Sequence, residues 1–534
     1  MIKHQPINKM DTVPYLLYVF MVGVLLAQAL YNTGGQPGYP VDDAFIHMAI
    51  ARHFVQDGRW SVDLSPFTSA TSSPLWTLLL AAAFHLFGVR DWAALLLSLL
   101  SGAAALLLAQ RLLAKSGRRM IRLTLVVLIL IFTPLPVLGL TGMEHALHSL
   151  LTVAVLWTGS LVLAENSPSS SLRWGLPVLC ALLPVTRYEG LFLLFWLIAG
   201  LLFQRRWRDA LAAGLASASL MTVYGLISVA NGWAFFPNSV LVKSQINLFS
   251  ATGLTQFLTQ GIYNLLDTPA LLGLIIAVWL AYALAESGGL TSPPLRWRVA
   301  LFSGMFALHL QLARTGWFFR YEAYLIFAGA LILMELTALL LKRLESERRL
   351  RFTPAVAAAL GVALLLLLPI AYRAGNALSA YPLAVRNIHE QQVQMARFVS
   401  RFYNGQTIVA NDIGAISYYA NIELVDVVGL ANLETGRWWR EGSWSTAKVD
   451  RLAREQAASL AILYPEWFDL YPQPPEWVEV GRWRIADNIV CTSDTVAFYA
   501  LSPAQADEIA QNLRAFSSEL PQTVQQQLNA PTAP

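Results

Sequence analysis

Read from its N-terminus, the chain alternates long apolar runs with short polar breaks as far as Tyr372, and then changes character. The runs recur about eleven times at roughly 15 to 22 residues, the length a helix needs to cross about 30 Å of hydrocarbon. The pattern predicts a mainly α, polytopic transmembrane domain over residues 1–373. From 374 to 534 no run is long enough to span. Turn residues, charges and short alternating segments there predict a soluble α/β domain. Within it, Thr407 to Asp412 reads as a strand, Gly414 to Tyr419 as a helix and Ile422 to Val428 as a second strand.

The polar breaks orient the spans. Lys and Arg gather between Lys115 and Arg122, between Arg205 and Arg208, at Arg296 and Arg298, and from Lys342 to Arg351. Basic loops stay in the cytoplasm, so these four breaks are expected inside a multi-pass protein of the cell membrane, together with the N-terminus and its Lys3 and Lys9. The breaks around Asp42, Glu144, Arg187, Asn238 to Lys243 and Arg314 to Arg320 are then expected outside, as is the C-terminal domain. Parity fails once, because Pro74 to Leu113 holds two apolar helices between ends that charge puts on opposite faces. The shorter, Pro74 to Phe87, stops at Gly88 and is expected to be re-entrant or interfacial, which leaves about eleven crossings. The run from Pro14 to Tyr31 is too long for a signal-peptide core and lacks a small-residue cleavage site, so it is expected to be a retained first span.

Composition narrows the function classes. With 56% hydrophobic and 13% charged residues, a wholly soluble fold would expose too much apolar surface, and the lipid bilayer is the solvent. The net charge of +4 comes from scattered short loops, which excludes a nucleic-acid surface. Cys180 and Cys491 lie in different environments, so neither a disulfide nor a thiolate metal site is expected. No glycine-rich strand-to-helix turn or P-loop offers a nucleotide cradle, and no His/Asp/Glu spacing suits zinc. No cofactor is required, although the acids described next leave room for a divalent cation.

Those acids are Asp42 and Asp43, which follow Pro40 and precede Phe45, Ile46, Ala49, Ile50 and Phe54 at helical spacing. The spacing describes a helix on the membrane surface with acids in its first turn. Asp42 reads as its cap and Asp43 as a dipole partner, yet two adjacent acids beyond a span also suit general-base work. One of Asp42 and Asp43 is the expected base and its neighbour positions the acceptor, the helix or a cation, with His47 among the substrate-binding candidates. Hydroxyls at Thr68, Ser69, Thr71, Ser72 and Ser73 lead into the next apolar helix and read equally as caps. Further charges sit at the ends of spans, where charge is costly and faces a cavity or a partner: Glu144 with His145, Arg187 with Glu189, and Arg320 with Tyr321 and Glu322. Arg187 with Glu189 and Arg320 with Glu322 read equally as structural ion pairs. Asn238 and Lys243 mark a fourth external edge, the lysine running against the positive-inside trend. Acids that deprotonate a hydroxyl, with Arg187, Lys243 and Arg320 to neutralise a departing phosphate, suit transfer from a phosphate-linked donor. Asp412, at the end of the first soluble strand, is placed either to reach the membrane site or to cap the helix that follows, and the cap is the favoured reading. Trp438, Trp439, Trp444, Trp467 and Trp477 read as core or membrane-facing residues rather than sugar platforms.

In these motifs the chain resembles the polytopic GT-C glycosyltransferases, a class that includes protein O-mannosyltransferases and lipid A aminoarabinose transferases. The resemblance is strongest to the branch of the terminal arabinofuranosyltransferases of actinobacterial cell walls. It runs through Asp42, Asp43, Ala44 and Phe45, then Thr71 to Thr77, then Gly142, Met143 and Glu144. It continues through Thr186 to Gly190, Pro237 and Asn238 with Lys243, Arg320 and Tyr321, and Asp412 to Ile416 with Val425, Asp426, Gly429 and Leu430. The resemblance implies a polyprenyl-phosphate sugar donor, a catalytic acid at Asp42 or Asp43 with Asp42, first in the branch's Asp-Asp-Ala-Phe pattern, the expected base, inversion at the anomeric carbon, and a glycan, lipid or protein acceptor outside the cytoplasm. His145 and Tyr188 depart from the branch, where a small polar residue and a proline are more usual, so arabinose itself does not follow. A lipid-linked sugar flippase or transporter is the main alternative, although transporters tend to carry repeated halves and mid-membrane helix breaks.

Overall fold

The computed structural model describes residues 9–115, 119–165, 169–243, 251–346 and 354–529. Lys3, Arg118 and Arg351 of the basic breaks lie outside them. Among the described residues seven helices are long and apolar enough to cross a membrane: Val13–Asn32, Trp92–Leu112, His145–Ala164, Trp207–Ala230, Pro269–Ser287, Ala323–Glu345 and Gly361–Phe402. Further helices that are shorter or less apolar include Arg119–Phe132, Ser170–Thr186, Gly190–Phe203 and Pro293–Leu312. The first three are short, and the last carries Arg296 and Arg298 near its start. Pro74–Phe87 has the predicted bounds. Its Ser73 hydroxyl accepts from the Trp76 N–H, and Gly88, at φ 74°, ends it in a conformation that favours glycine.

The chain forms two compact units. The first comprises Met1–Leu26, Leu95–Thr222 and Ile246–Ser379. Its core is a Leu, Ile, Val and Phe cluster in which Leu325, Ile326, Phe327 and Leu331 are fully buried. In lipid the helices associate through close packing rather than by escaping water. Gly273 shows how close: a Cβ there would lie 2.2 Å from the Leu366 carbonyl oxygen.

The second unit joins Ala380–Pro534 with two excursions, Ala27–Ala94 and Val223–Gln245. Its sheet comprises β1 (Thr407–Ala410), β2 (Glu423–Asp426), β3 (Leu460–Leu463), β4 (Val478–Arg484), β5 (Thr495–Ala500) and β6 (Gln525–Leu528) in the order β2-β1-β3-β5-β4-β6. The strand β1 pairs in parallel with β2 and β3, and the remaining pairs are antiparallel. The sequences of β1 and β3, TIVA and LAIL, are buried throughout, as expected of central parallel strands covered on both faces. Between β1 and β2 lies the predicted helix Gly414–Tyr419, and the predicted surface helix of the first loop spans Asp43–Asp57.

Candidate active site

In the second unit the first loop grips the short helix Gly414–Tyr419 from both ends. Asp42 makes no side-chain bond to its own helix. Its Oδ2 accepts from the Gly414 N–H at 2.7 Å and its Oδ1 from the Ala415 N–H at 2.8 Å. Asp42 therefore caps a helix, but one from the sheet domain. At the other end Arg52 Nη2 donates to the carbonyls of Ser417, at 3.1 Å, and Ala420, at 3.3 Å. An acid at the N-terminus and a cation at the C-terminus both complement the peptide dipoles. The hydroxyls of Tyr418 and Tyr419 donate to Asp91 at 2.8 and 3.0 Å. Gly414 is required by this approach, because a Cβ there would lie 2.2 Å from the Asp42 carbonyl oxygen and 2.7 Å from its Oδ2. Asp43, half-buried, opens the first turn of Asp43–Asp57.

Asp412, read from the sequence as the cap of Gly414–Tyr419, does something else. Asp42 supplies that cap, and Asp412 Oδ2 accepts from Gln392 Nε2 at 2.8 Å and from the Tyr464 hydroxyl. Burial, and then the charge of Asp412, push the Asp42 carboxyl above its ordinary range, against the pull of its two backbone N–H partners. Burial likewise raises Asp412, opposed by Tyr464 and Gln392.

Of the other second-unit candidates, His47 and Asn238 are hydrogen-bonded within the unit. The buried His47 Nδ1 lies 3.1 Å from the hydroxyls of both Thr71, in the loop, and Thr77, in the helix Pro74–Phe87, which are 2.9 Å apart. Asn238 is fully buried and uses both ends of its amide, Nδ2 donating to Gly429 O and Oδ1 accepting from Arg440, each at 3.2 Å. Lys243 closes the helix Asn238–Lys243; its side chain lies outside the described residues.

The first unit brings together Glu144, His145, Arg187, Glu189 and Tyr321. Arg187 stands between the helices Ser170–Thr186 and Gly190–Phe203. It holds Glu189 with two bonds, Nη2 to Oε1 at 2.6 Å and Nε to Oε2 at 3.2 Å, and Glu144 Oε1 with Nη1 at 2.8 Å. His145 Nε2 lies 3.0 Å from the same Nη1, and the guanidinium carbon is 5.5 Å from the Tyr321 ring centre. The ion pair legible in the sequence is present, with Glu144 as a second carboxylate, so one guanidinium faces two negative charges. Arg320 is buried, its Nη1 directed at the Met143 sulfur and its guanidinium carbon 5.3 Å from the Tyr321 ring centre. Glu322, read as a partner for Arg320, instead binds Arg373 Nε at 2.8 Å and the Gly316 N–H at 2.8 Å.

Sequence reasoning passed over His148, His309, Tyr324 and Arg373. The His148 ring lies 4.5 Å from that of Tyr324, whose hydroxyl is 2.9 Å from His309 Nδ1. His148 falls four residues after Glu144 and so on the same helix face, a spacing that pointed to it. His309 and Arg373 join through packing between distant helices, which no local pattern encodes. Among the described residues no group of three or more His, Cys, Asp or Glu side chains is placed to hold a metal ion.

Comparison with known proteins adds a fold. A family described as a domain of unknown function, DUF8728, matches residues 386–499. No curated protein matches the sequence. The crystal structure of ArnT from Cupriavidus metallidurans bound to undecaprenyl phosphate is similar at a TM-score of 0.52 and 15% identity, over 93% of this chain and 99% of that one. ArnT from the same organism in the apo state gives 0.50 and 15%, over 92% and 99%. At such identity the likeness is one of fold. Together with the apolar helices, it makes this chain a multi-pass membrane protein with a GT-C fold, a helical membrane part and a C-terminal sheet domain.

Proposed function

We propose that this protein is a glycosyltransferase that moves a sugar from a polyprenyl-phosphate donor to a glycan, lipid or protein acceptor outside the cytoplasm, by a single inverting displacement. The observation that carries the reading is the acid pair Asp42–Asp43 anchored to the sheet domain, in a fold shared with a protein crystallised with undecaprenyl phosphate. The acceptor hydroxyl gives its proton to a carboxylate, its oxygen bonds to the anomeric carbon, and the bond to phosphate breaks to release polyprenyl phosphate. Asp42, with both oxygens anchored to the amides of Gly414 and Ala415, suits a positioning role, and its neighbour Asp43, in the first turn of Asp43–Asp57, is taken as the base. Asp42 then positions it. The motif order shared with the terminal arabinofuranosyltransferases supports a place in that branch, with a pentosyl or hexosyl sugar. The positive loops support a cytoplasmic N-terminus and an extracytoplasmic sheet domain.

For the departing phosphate we propose Arg187 and Arg320, the two buried guanidiniums that flank the Tyr321 ring. Glu144, His145 and Glu189 then orient Arg187 and Tyr321 around the donor. Arg320→Lys keeps the charge but loses the planar fork that matches phosphate oxygens. The variant is expected to transfer sugar more slowly and to bind lipid-linked donor more weakly. Wild-type rate and donor affinity in Arg320→Lys would make Arg320 a structural residue.

A further inference from the structure

The turn from β1 into Gly414–Tyr419 has a topological position that the acid pair alone does not explain. In the order β2-β1-β3 the chain leaves β1 toward β2 on one side and returns to β3 on the other. In open sheets the crevice outside the carboxyl ends of parallel strands at such a switch point is where ligands and reacting groups collect. Asp412 follows β1 at that edge and Tyr464 follows β3, and the two are hydrogen-bonded. Two residues beyond Asp412, the Gly414 and Ala415 amides hold Asp42.

We propose that Asp412 is a positioning residue of the active site: held by Tyr464 and Gln392 two residues before the amides that grip Asp42, it sets a further carboxylate at the anchored end of the acid pair and thereby governs the pH at which the pair can accept a proton. The inference rests on the glycosyltransferase reading. A structural acid in this turn would be expected to cap the helix that follows it, whereas here the cap is delegated to Asp42 and the Asp412 carboxylate is held by side chains from two other segments. The titratable groups around the cluster are Asp42, Asp43, Tyr464, Cys491 and Glu390. Burial keeps the Tyr464 hydroxyl and the Cys491 thiol well above their ordinary values, so both stay neutral through the working range. The charge that changes is carried by carboxylates.

A neighbouring negative charge makes a carboxylate harder to ionise. Asp412→Asn removes that charge, so the acid limb of the pH–rate profile should move to lower pH, by about one unit. Tyr464→Phe removes a hydrogen bond that favours ionised Asp412, so it should move the limb in the same direction by less. The assay uses the full-length protein in membranes of a strain lacking it, a total polyprenyl-lipid extract as donor, and free polyprenyl phosphate as the readout. A folded Asp412→Asn variant with the wild-type profile overturns the inference. Should that variant fail to fold, an unmoved profile in Tyr464→Phe overturns it instead. Asp42→Asn and Asp43→Asn, run in parallel, separate the two levels: if both transfer at the wild-type rate, the underlying reading fails. If either is inactive while the Asp412→Asn and Tyr464→Phe profiles stay unmoved, only the role of Asp412 is lost.

Discussion

Asp43→Asn is expected to lower the rate of sugar transfer by about a hundred- to ten-thousand-fold, the usual cost of removing a general base, while the protein still inserts and folds. Asp42→Asn should show the opposite balance. An asparagine can accept one of the two N–H bonds from Gly414 and Ala415 but turns its own amide toward the other. A mismatched hydrogen bond of this kind costs about 1–3 kcal/mol, so melting temperature should fall while most of the turnover survives. Rate assays and thermal unfolding of both variants decide the assignment. If Asp42→Asn is the inactive, fully stable variant, the two aspartates have exchanged roles. If both keep near-normal turnover, the loop is structural and a transport function becomes the better account.

Gly414→Ala should be strongly damaging for a single added methyl. The added carbon would meet the Asp42 backbone carbonyl at 2.2 Å, and a backbone atom cannot rotate away as a side chain can. The first loop or the β1 turn must shift, at an overpacking cost of about 1–3 kcal/mol. Because the same shift displaces Asp42 from its amides, transfer should fall along with stability. Gly23, where an added Cβ would meet nothing within 4 Å, gives the control: Gly23→Ala should leave both unchanged. Equal melting temperatures for the two alanine variants would mean that Asp42 and Gly414 are not in close contact.

The parts of this protein that were legible in its sequence are those set by local pattern. Pro74–Phe87 has its predicted ends because a serine cap, a proline in the first turn and a terminal glycine are all written within the segment. Gly414–Tyr419 and the strands on either side of it follow from short apolar runs separated by turn residues. The Arg187–Glu189 pair was legible because its members are two residues apart. What was hidden depends on segments far apart in the chain. Asp42 looked like the cap of the helix beside it and instead caps one some 370 residues on. Glu322 looked like the partner of the arginine two positions away and is held by Arg373. Asn238 stood out as a polar residue at a span end, and its two partners, Gly429 and Arg440, lie 191 and 202 residues further on. In each case the residue type was informative, because a buried polar group must find a partner, but the identity of the partner is a tertiary fact.

The central claim is a transfer reaction rather than movement of an intact lipid-linked sugar, and one measurement separates them. The purified full-length protein is reconstituted in vesicles containing a total polyprenyl-lipid extract, with a membrane fraction from a strain lacking the protein as the source of acceptors, and polyprenyl phosphate is quantified by mass spectrometry. The account predicts that polyprenyl phosphate is released in step with the appearance of one new glycosidic linkage, and that Asp43→Asn releases almost none. Passage of the lipid-linked sugar across the vesicle membrane with its phosphate–sugar bond unbroken would contradict it.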